Sequence, residues 1–257
     1  VEEESVAVAS ADVVVKEETE IPVKEEDCRR LNEVFVKHVT QKLPFVTLKL
    51  AASLDGRIAT ATGNSRWVTG SAARKYVHRL RNEVDAVLVG SGTVLADDPQ
   101  LTCRIPRGRD PWRVVLDGRL RTPVAARLVR HPQPEKTVVV TRDDAPVGRR
   151  KRLEDLGVCV WKFPVRNGYI SLKRVLRKLA RADVTSVMIE GGSVTASRAI
   201  TEKVVDKVLC FYGPKLIGAE GFPMVGDLGL IRMRQCPQLL RPAVRRLGDD
   251  ILVSGYL

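Results

Sequence analysis

The chain has 257 residues, 44% of them apolar, enough for one large domain with a buried core. Its five cysteines, Cys28, Cys103, Cys159, Cys210 and Cys236, stand singly with no CxxC pair, which argues against a disulfide framework or zinc knuckle and fits a reducing, cytoplasmic setting. Of the 43 basic and 31 acidic side chains only two basic but ten acidic ones fall in residues 1–27, so the net charge of +12 conceals a strongly cationic body that implies anionic partners.

The chain opens with the acidic runs VEEE, KEETE and KEED around a β-branched stretch, Val13 to Val15, followed by an expected short helix over Glu25 to Lys37. Residues 1–40 read as an acidic lead-in, or equally as a partly disordered tail, and 41–257 as the main domain. Residues 1–30 lack the basic start and apolar run of an export signal, and no apolar stretch reaches the ~18 residues of a membrane span.

From Leu43 onward, short apolar runs alternate with amphipathic segments, the pattern of an α/β sheet covered by helices. Strands are expected at Phe45 to Leu50, Ala86 to Val89, Arg113 to Leu116, Thr137 to Val140, Val158 to Trp161, Ser186 to Ile189, Lys207 to Tyr212 and Ile251 to Ser254. A helix over Ser71 to Val84 would bury Ala72, Tyr76, Leu80 and Val84, and would carry Arg74, His78 and Arg81 on one face as a basic stripe. A weaker helix runs from Arg150 to Leu156 and stops at Gly157. Another, capped by Ser171, buries Leu172, Val175, Leu176 and Leu179.

Two glycine turns follow strands. Gly90, Ser91, Gly92 and Thr93 resemble a dinucleotide fingerprint only loosely, since the third glycine is missing, and the Asp97–Asp98–Pro99 run beyond them suits a plain turn as well as a site. The second turn, Gly191–Gly192, opens a helix at Ser193, where bare N–H groups suit a phosphate, although such turns also serve as mere connections. Glu190 just before it stands at a strand's carboxyl end, where ligands of α/β sheets collect.

The histidines His38, His78 and His131 have no partner at metal-ligand spacing, and no HxE with PCxxC appears, so no zinc deaminase centre and no metal site is expected. Neither a GxSxG elbow nor a P-loop lysine is present. A nucleic-acid binder would explain the charge, but aromatics are only 5% and do not interleave with the cations as a stacking platform requires.

Taken together, PFVTLKLAASLDGRIA (44–59), GNSRWVTG (63–70), VHRLRNEVDAVLVGSGTVLADDPQLTCR (77–104), RVVLDGRLRTP (113–123) and VMIEGGS (187–193) resemble one family, in order and without large gaps over roughly residues 28–257. It is the reductase domain of riboflavin biosynthesis, 5-amino-6-(5-phosphoribosylamino)uracil reductase, here without the zinc deaminase domain behind which bacterial members are often fused. The resemblance implies a dihydrofolate-reductase-like fold, three α/β/α layers around a central mixed sheet, and a homodimer. It implies NADPH as cofactor and a phosphorylated pyrimidine nucleotide as substrate, with hydride transfer to the ribose C1′. The non-deaminated nucleotide, or another substrate of a related reductase such as a pterin, stands as the alternative.

By the same resemblance Ser65, Arg81, Leu101, Arg104 and Glu190 are assigned to the substrate, with the arginines on its phosphate. Ala51, Trp67, Thr93, Asp97, Gly118 and the loop of Gly192, Ser193, Val194, Thr195, Ala196, Ser197 and Arg198 are assigned to the dinucleotide. Relatives commonly carry a hydroxyl residue where this chain has Gly118, so any contact there comes from backbone. Lys49, Asp97 and Glu190 are the expected catalytic residues, Asp97 or Glu190 to favour positive character at C1′ and Lys49 to bond a ribose hydroxyl or donate a proton, unless Lys49 serves only a structural salt bridge.

Overall fold

β-Branched and aliphatic runs too short for helices, separated by amphipathic segments, fold here into parallel strands covered on both faces. The computed structural model describes residues 25–166 and 168–257. The VEEE and KEETE runs and the Val13 to Val15 stretch lie outside the described residues, while Glu25, Glu26 and Asp27 of the third acidic run fall in the first helix. The chain divides into two units, Val1–Glu33 and Val34–Leu257.

In chain order the first elements are α1 (Glu25–Leu31), α2 (Glu33–Gln41), β1 (Phe45–Ser53), β2 (Arg57–Ala59), α3 (Ser71–Glu83), β3 (Ala86–Gly90), α4 (Ser91–Asp97) and β4 (Trp112–Leu116). Next come β5 (Thr137–Arg142), α5 (Val147–Glu154), β6 (Cys159–Phe163), β7 (Val165–Arg166), β8 (Tyr169–Ile170) and α6 (Leu172–Ala180). The last are β9 (Ser186–Glu190), α7 (Ser193–Thr201), β10 (Lys207–Gly213), β11 (Phe222–Pro223), β12 (Leu240–Leu247) and β13 (Asp250–Tyr256). The single helix expected over Glu25 to Lys37 is thus two, interrupted at Asn32, whose side-chain amide donates to the Cys28 carbonyl.

All eight expected strands join one nine-stranded sheet, ordered β12-β13-β10-β1-β9-β3-β4-β5-β6. From β10 to β6 neighbours are parallel, while β13 and β12 run antiparallel. Alternate strand residues feed opposite layers. On one face Leu48, Leu88, Val138 and Ile189 pack with Leu172, Val175, Leu176 and Leu179 of α6 and with Ala196 and Ala199 of α7. On the other, Val87, Val115, Val139 and Met188 pack with Val94 of α4 and Leu153 of α5, and Leu209, Phe211 and Leu252 pack with Ala73 and Val77 of α3. This is the three-layer mixed α/β/α arrangement that the resemblance implies.

Two local expectations need correction. The core face of α3 is Ala73 and Val77, with Tyr76 and Leu80 half-buried, rather than the stripe starting at Ala72, which is exposed. Ser171 stands at the N-cap of α6, but its hydroxyl donates to Glu202 instead of receiving a helix N–H. The end of the α5 segment is as expected, with Gly157 in the left-handed region at φ +80°.

Candidate active site

The connection leaving β9 runs through α7 on one face of the sheet, while that leaving β3 runs through α4 on the other. These strands are neighbours, so a crevice opens between their carboxyl ends, the topological switch point of an open α/β sheet. The two glycine turns meet there. A Cβ on Gly90 would lie 2.6 Å from Thr195 Oγ1, so glycine is what allows the first turn of α7 to close on β3. Neither Gly90, which caps α4, nor Gly192, which caps α7, offers a side-chain cap, and Gly92 faces open space. The N–H groups of both helix starts therefore remain for an outside acceptor. A cavity of about 1390 Å³ runs past both turns and along the ends of β1, β9, β3, β4 and β5.

One side of this cavity carries a buried charge cluster. Lys49 on β1 and Glu190 at the end of β9 are partners in register, so both side chains leave the sheet on the face covered by α3. Arg81, from α3, meets them: its Nε donates to Glu190 Oε1 at 2.6 Å and its Nη2 to Oε2 at 2.9 Å, a bidentate fork, while Nη1 donates to the Thr102 carbonyl. Lys49 Nζ lies 3.8 Å from Glu190 Oε2 and 5.8 Å from the centre of the Phe211 ring. Burial alone would raise the Glu190 pKa, but the Arg81 guanidinium and then the Lys49 ammonium bring it down to about 2. Burial lowers the pKa of Lys49, with the Glu190 charge opposing it. Parallel strands covered on both faces rarely hold such groups, so a lysine poised by desolvation beside a fixed carboxylate marks the spot as chemical.

His78 extends this cluster along the basic face of α3. Its Nδ1 accepts the Arg104 backbone N–H at 3.3 Å, and burial, together with the charges of Arg81 and Arg104, lowers its pKa. The Arg104 guanidinium has no ionic partner among the described residues. Across the cavity, the Ser65 hydroxyl donates to Asp97 Oδ1 at 3.0 Å, and Arg66 donates to the Asp97 carbonyl. Asp98 is the left-handed cap of α4 and accepts the Arg127 N–H. Both aspartates line the cavity, with Asp98 also forming the turn and Asp97 bonded to Ser65.

Most of the expected residues come together on this cavity wall: Lys49, Ala51, Ser65, Trp67, Arg81, Thr93, Asp97, Arg104, Gly118, Glu190, Gly192, Ser193, Val194, Thr195 and Arg198. Leu101, Ala196 and Ser197 do not line it, being buried in the surrounding packing. In the Gly192–Arg198 loop, two that line it have their polar groups engaged. The Ser193 hydroxyl donates to the Pro223 carbonyl, and Arg198 is held by Glu202, the Ile170 carbonyl and the Tyr169 ring. Trp67 is 59% exposed and stacks on Arg74, whose guanidinium lies 4.5 Å from the ring centre. The unassigned residues on the wall include His78 and Arg74, whose helical spacing was the available signal, and the arginines Arg119 and Arg121 after β4 and Arg142 at the end of β5. Among the described residues no His, Cys, Asp and Glu group could hold a metal ion, and no helix is long and apolar enough to cross a membrane.

Comparison with known proteins gives this geometry a context. The family model described as the RibD C-terminal domain matches residues 44–253. The riboflavin biosynthesis protein RibD of Aquifex aeolicus is 37% identical over 92% of this chain and 64% of its own length. Acinetobacter baumannii RibD superposes with a TM-score of 0.77 at 34% identity, covering 90% of this chain and 63% of that one. A diaminohydroxyphosphoribosylaminopyrimidine deaminase/5-amino-6-(5-phosphoribosylamino)uracil reductase from Thermotoga maritima gives 0.73 at 35% identity, over 90% of this chain and 62% of that one. The chain thus spans a little under two thirds of the length of these three relatives.

Proposed function

Because the chain belongs to the RibD C-terminal domain family, we propose that it is a 5-amino-6-(5-phosphoribosylamino)uracil reductase, reducing the ribosyl group of that phosphorylated pyrimidine nucleotide to a ribityl chain with NADPH. The observation that carries the reading is the buried Lys49–Glu190–Arg81 cluster at the strand ends, beside two uncapped helix starts. The cavity fits a dinucleotide: bare N–H groups and open glycine positions suit its pyrophosphate, and the exposed Trp67 offers an aromatic face to a ring. Ala51, Thr93, Asp97, Gly118 and the Gly192–Arg198 loop complete that assignment. Ser65 and Arg104 take the substrate together with Arg81 and the strand-end Glu190, and Arg104, with no ionic partner among the described residues, is its main phosphate ligand.

The dihydronicotinamide supplies the hydride, so the protein's own work is to bind, orient and move protons. Opening the ribose ring breaks the C1′–O4′ bond, protonates O4′ and removes the amine N–H proton, leaving a C1′=N imine. The hydride then adds to C1′ and a proton returns to nitrogen. Glu190, ionised at any working pH, favours positive character at C1′, and Lys49, its pKa lowered by burial, gives and takes the proton. Asp97, accepting from Ser65, holds the ribose from the opposite wall.

A homodimer in a reducing, cytoplasmic setting belongs to the same proposal, supported by the exposed edge strand β12 and by five unpaired thiols. The test mixes the purified protein with NADPH or NADH and either the deaminated or the non-deaminated nucleotide, following loss of dihydronicotinamide absorbance. We expect oxidation with the deaminated nucleotide and NADPH; no oxidation with either nucleotide would overturn the reading. Asp97→Asn should lower turnover by about tenfold or more, and full turnover in that variant would remove Asp97 from the assignment.

A further inference from the structure

The segment that carries Arg104 is bonded at three successive residues. The Thr102 carbonyl accepts from Arg81 Nη1 at 3.1 Å, the Cys103 N–H donates to Asp110 Oδ1 at 2.8 Å, and the Arg104 N–H donates to His78 Nδ1 at 3.3 Å. Arg81 and His78 belong to α3 and line the cavity, whereas Asp110, two residues before β4, does not. The loop between Cys103 and Asp110 is tightly closed: the Gly108 N–H donates to the Ile105 carbonyl, and a Cβ on Gly108 would lie 2.5 Å from Cys103 Sγ. Arg109 ties the loop to the end of α3 by donating to the Asn82 and Glu83 carbonyls.

Asp110 is itself held from outside the site. Its Oδ2 lies 3.3 Å from His131 Nε2, and the same ring accepts the Gln133 N–H on Nδ1. The Gln133 carbonyl accepts from Arg113, which is fully buried on β4 and donates from Nε to Thr137 Oγ1 on β5 at 2.9 Å. Burial lowers the Arg113 pKa, and the Asp110 charge is the first to oppose it. A carboxylate anchored to the sheet in this way reaches the loop with one oxygen. Arg104 gains from such a hold, because burial and the like charges of Arg81 and Arg127 all lower its pKa. Like charges drive these guanidiniums apart, and a backbone fixed beforehand leaves less ordering to the moment of binding.

We infer that Asp110, propped by His131, is a positioning residue that holds Arg104 for the phosphate of the substrate. This rests on the proposed function and adds a residue outside the cavity that acts through Arg104.

The test titrates the full chain calorimetrically with 5-amino-6-(5-phosphoribosylamino)uracil and with the same compound lacking its phosphate, with turnover measured in parallel. Asp110→Ala should weaken the nucleotide ~10-fold and the phosphate-free compound less than about twofold, and should raise KM while kcat stays within about twofold. Asp110→Asn keeps an oxygen for the Cys103 N–H and should hold nucleotide affinity within about threefold, although its melting temperature falls as Arg113 loses a counter-charge. In an Arg104→Ala background, adding Asp110→Ala should change nucleotide affinity by less than about twofold. His131→Ala, which carries the test should Asp110→Ala fail to fold, should weaken the nucleotide alone by ~3-fold. Equal loss of both compounds, full loss in Asp110→Asn, additive losses in the double variant, or wild-type affinity in Asp110→Ala or His131→Ala would each overturn the positioning role and leave the reductase reading in place. No NADPH oxidation by the wild type would overturn both.

Discussion

Glu190 is the residue on which the site's charge balance turns. With its pKa held at about 2 by Arg81 and Lys49, it contributes on the order of 3 kcal/mol of stability. Because the folded pKa is depressed, that contribution is present above the ordinary value of 4.5 and is lost as pH falls toward 2. Glu190→Gln should strand two buried cations and cost ~3–5 kcal/mol in a urea titration at neutral pH, with the acid limb of the stability profile flattened. A variant with wild-type stability and an unchanged acid limb would refute this account. Lys49 is the opposite case. Burial disfavours its charged form, against the pull of Glu190, and Glu190 keeps its Arg81 fork when Lys49 is removed. Lys49→Met should therefore unfold at an equal or higher denaturant concentration while NADPH oxidation falls by about 100-fold. Lower stability with intact turnover would return Lys49 to a purely structural role.

The cluster is delivered by α3, and α3 is fixed by a residue far away in sequence. Asp250, the first residue of β13, is buried, and its Oδ2 accepts the N–H of Gly70, the N-cap of α3, at 2.7 Å. A helix start lacking its own capping side chain is thus capped from across the fold. Asp250→Ala should cost about 1 kcal/mol of stability and raise the substrate KM more than it lowers kcat, since His78 and Arg81 ride on that helix. A change in kcat alone would argue against positioning through α3. Such a long-range cap also marks where sequence reasoning stops. The eight sheet strands were legible from their short β-branched runs, and the spacing of Arg74, His78 and Arg81 put them on one helical face, which the fold turns toward the cavity. The buried face of α3 was misjudged by one position, because Tyr76 and Leu80 fit either register and only the packing of Ala73 and Val77 against Phe211 decides between them. α4 is not legible as a helix because seven residues beginning Ser-Gly-Thr carry too little period to declare one. β12, interrupted by Pro242 and rich in arginine, has no apolar alternation at all.

β12 raises the question of what the whole molecule presents to its surroundings. It is the last strand at one edge of the sheet and is exposed along nearly its full length, with Leu240 at 60% and Val244 at 72%. Ile231 and Met233, in the segment leading to it, are also exposed. Pro242, Arg241, Arg245 and Arg246 blunt an edge strand against indiscriminate pairing, yet the apolar side chains between them remain without cover in a single copy. A second copy seated on this edge would bury them, and the consequence can be separated from the dinucleotide side of the site because the edge and the ends of β4 and β5 lie toward opposite ends of the strand order. The route from edge to site is short: β12 pairs with β13, β13 begins with Asp250, and Asp250 caps the helix that holds Arg81. In light scattering the wild-type chain should therefore run as a dimer at micromolar concentration, and Val244→Asp should run as a monomer. The monomer should keep its NADP+ affinity within about threefold while its substrate KM rises, because only the α3 side of the cavity leans on that edge. A monomeric wild type would remove the dimer from the proposal. A monomeric variant that lost dinucleotide binding as well would mean that the edge supports the entire sheet rather than α3 alone.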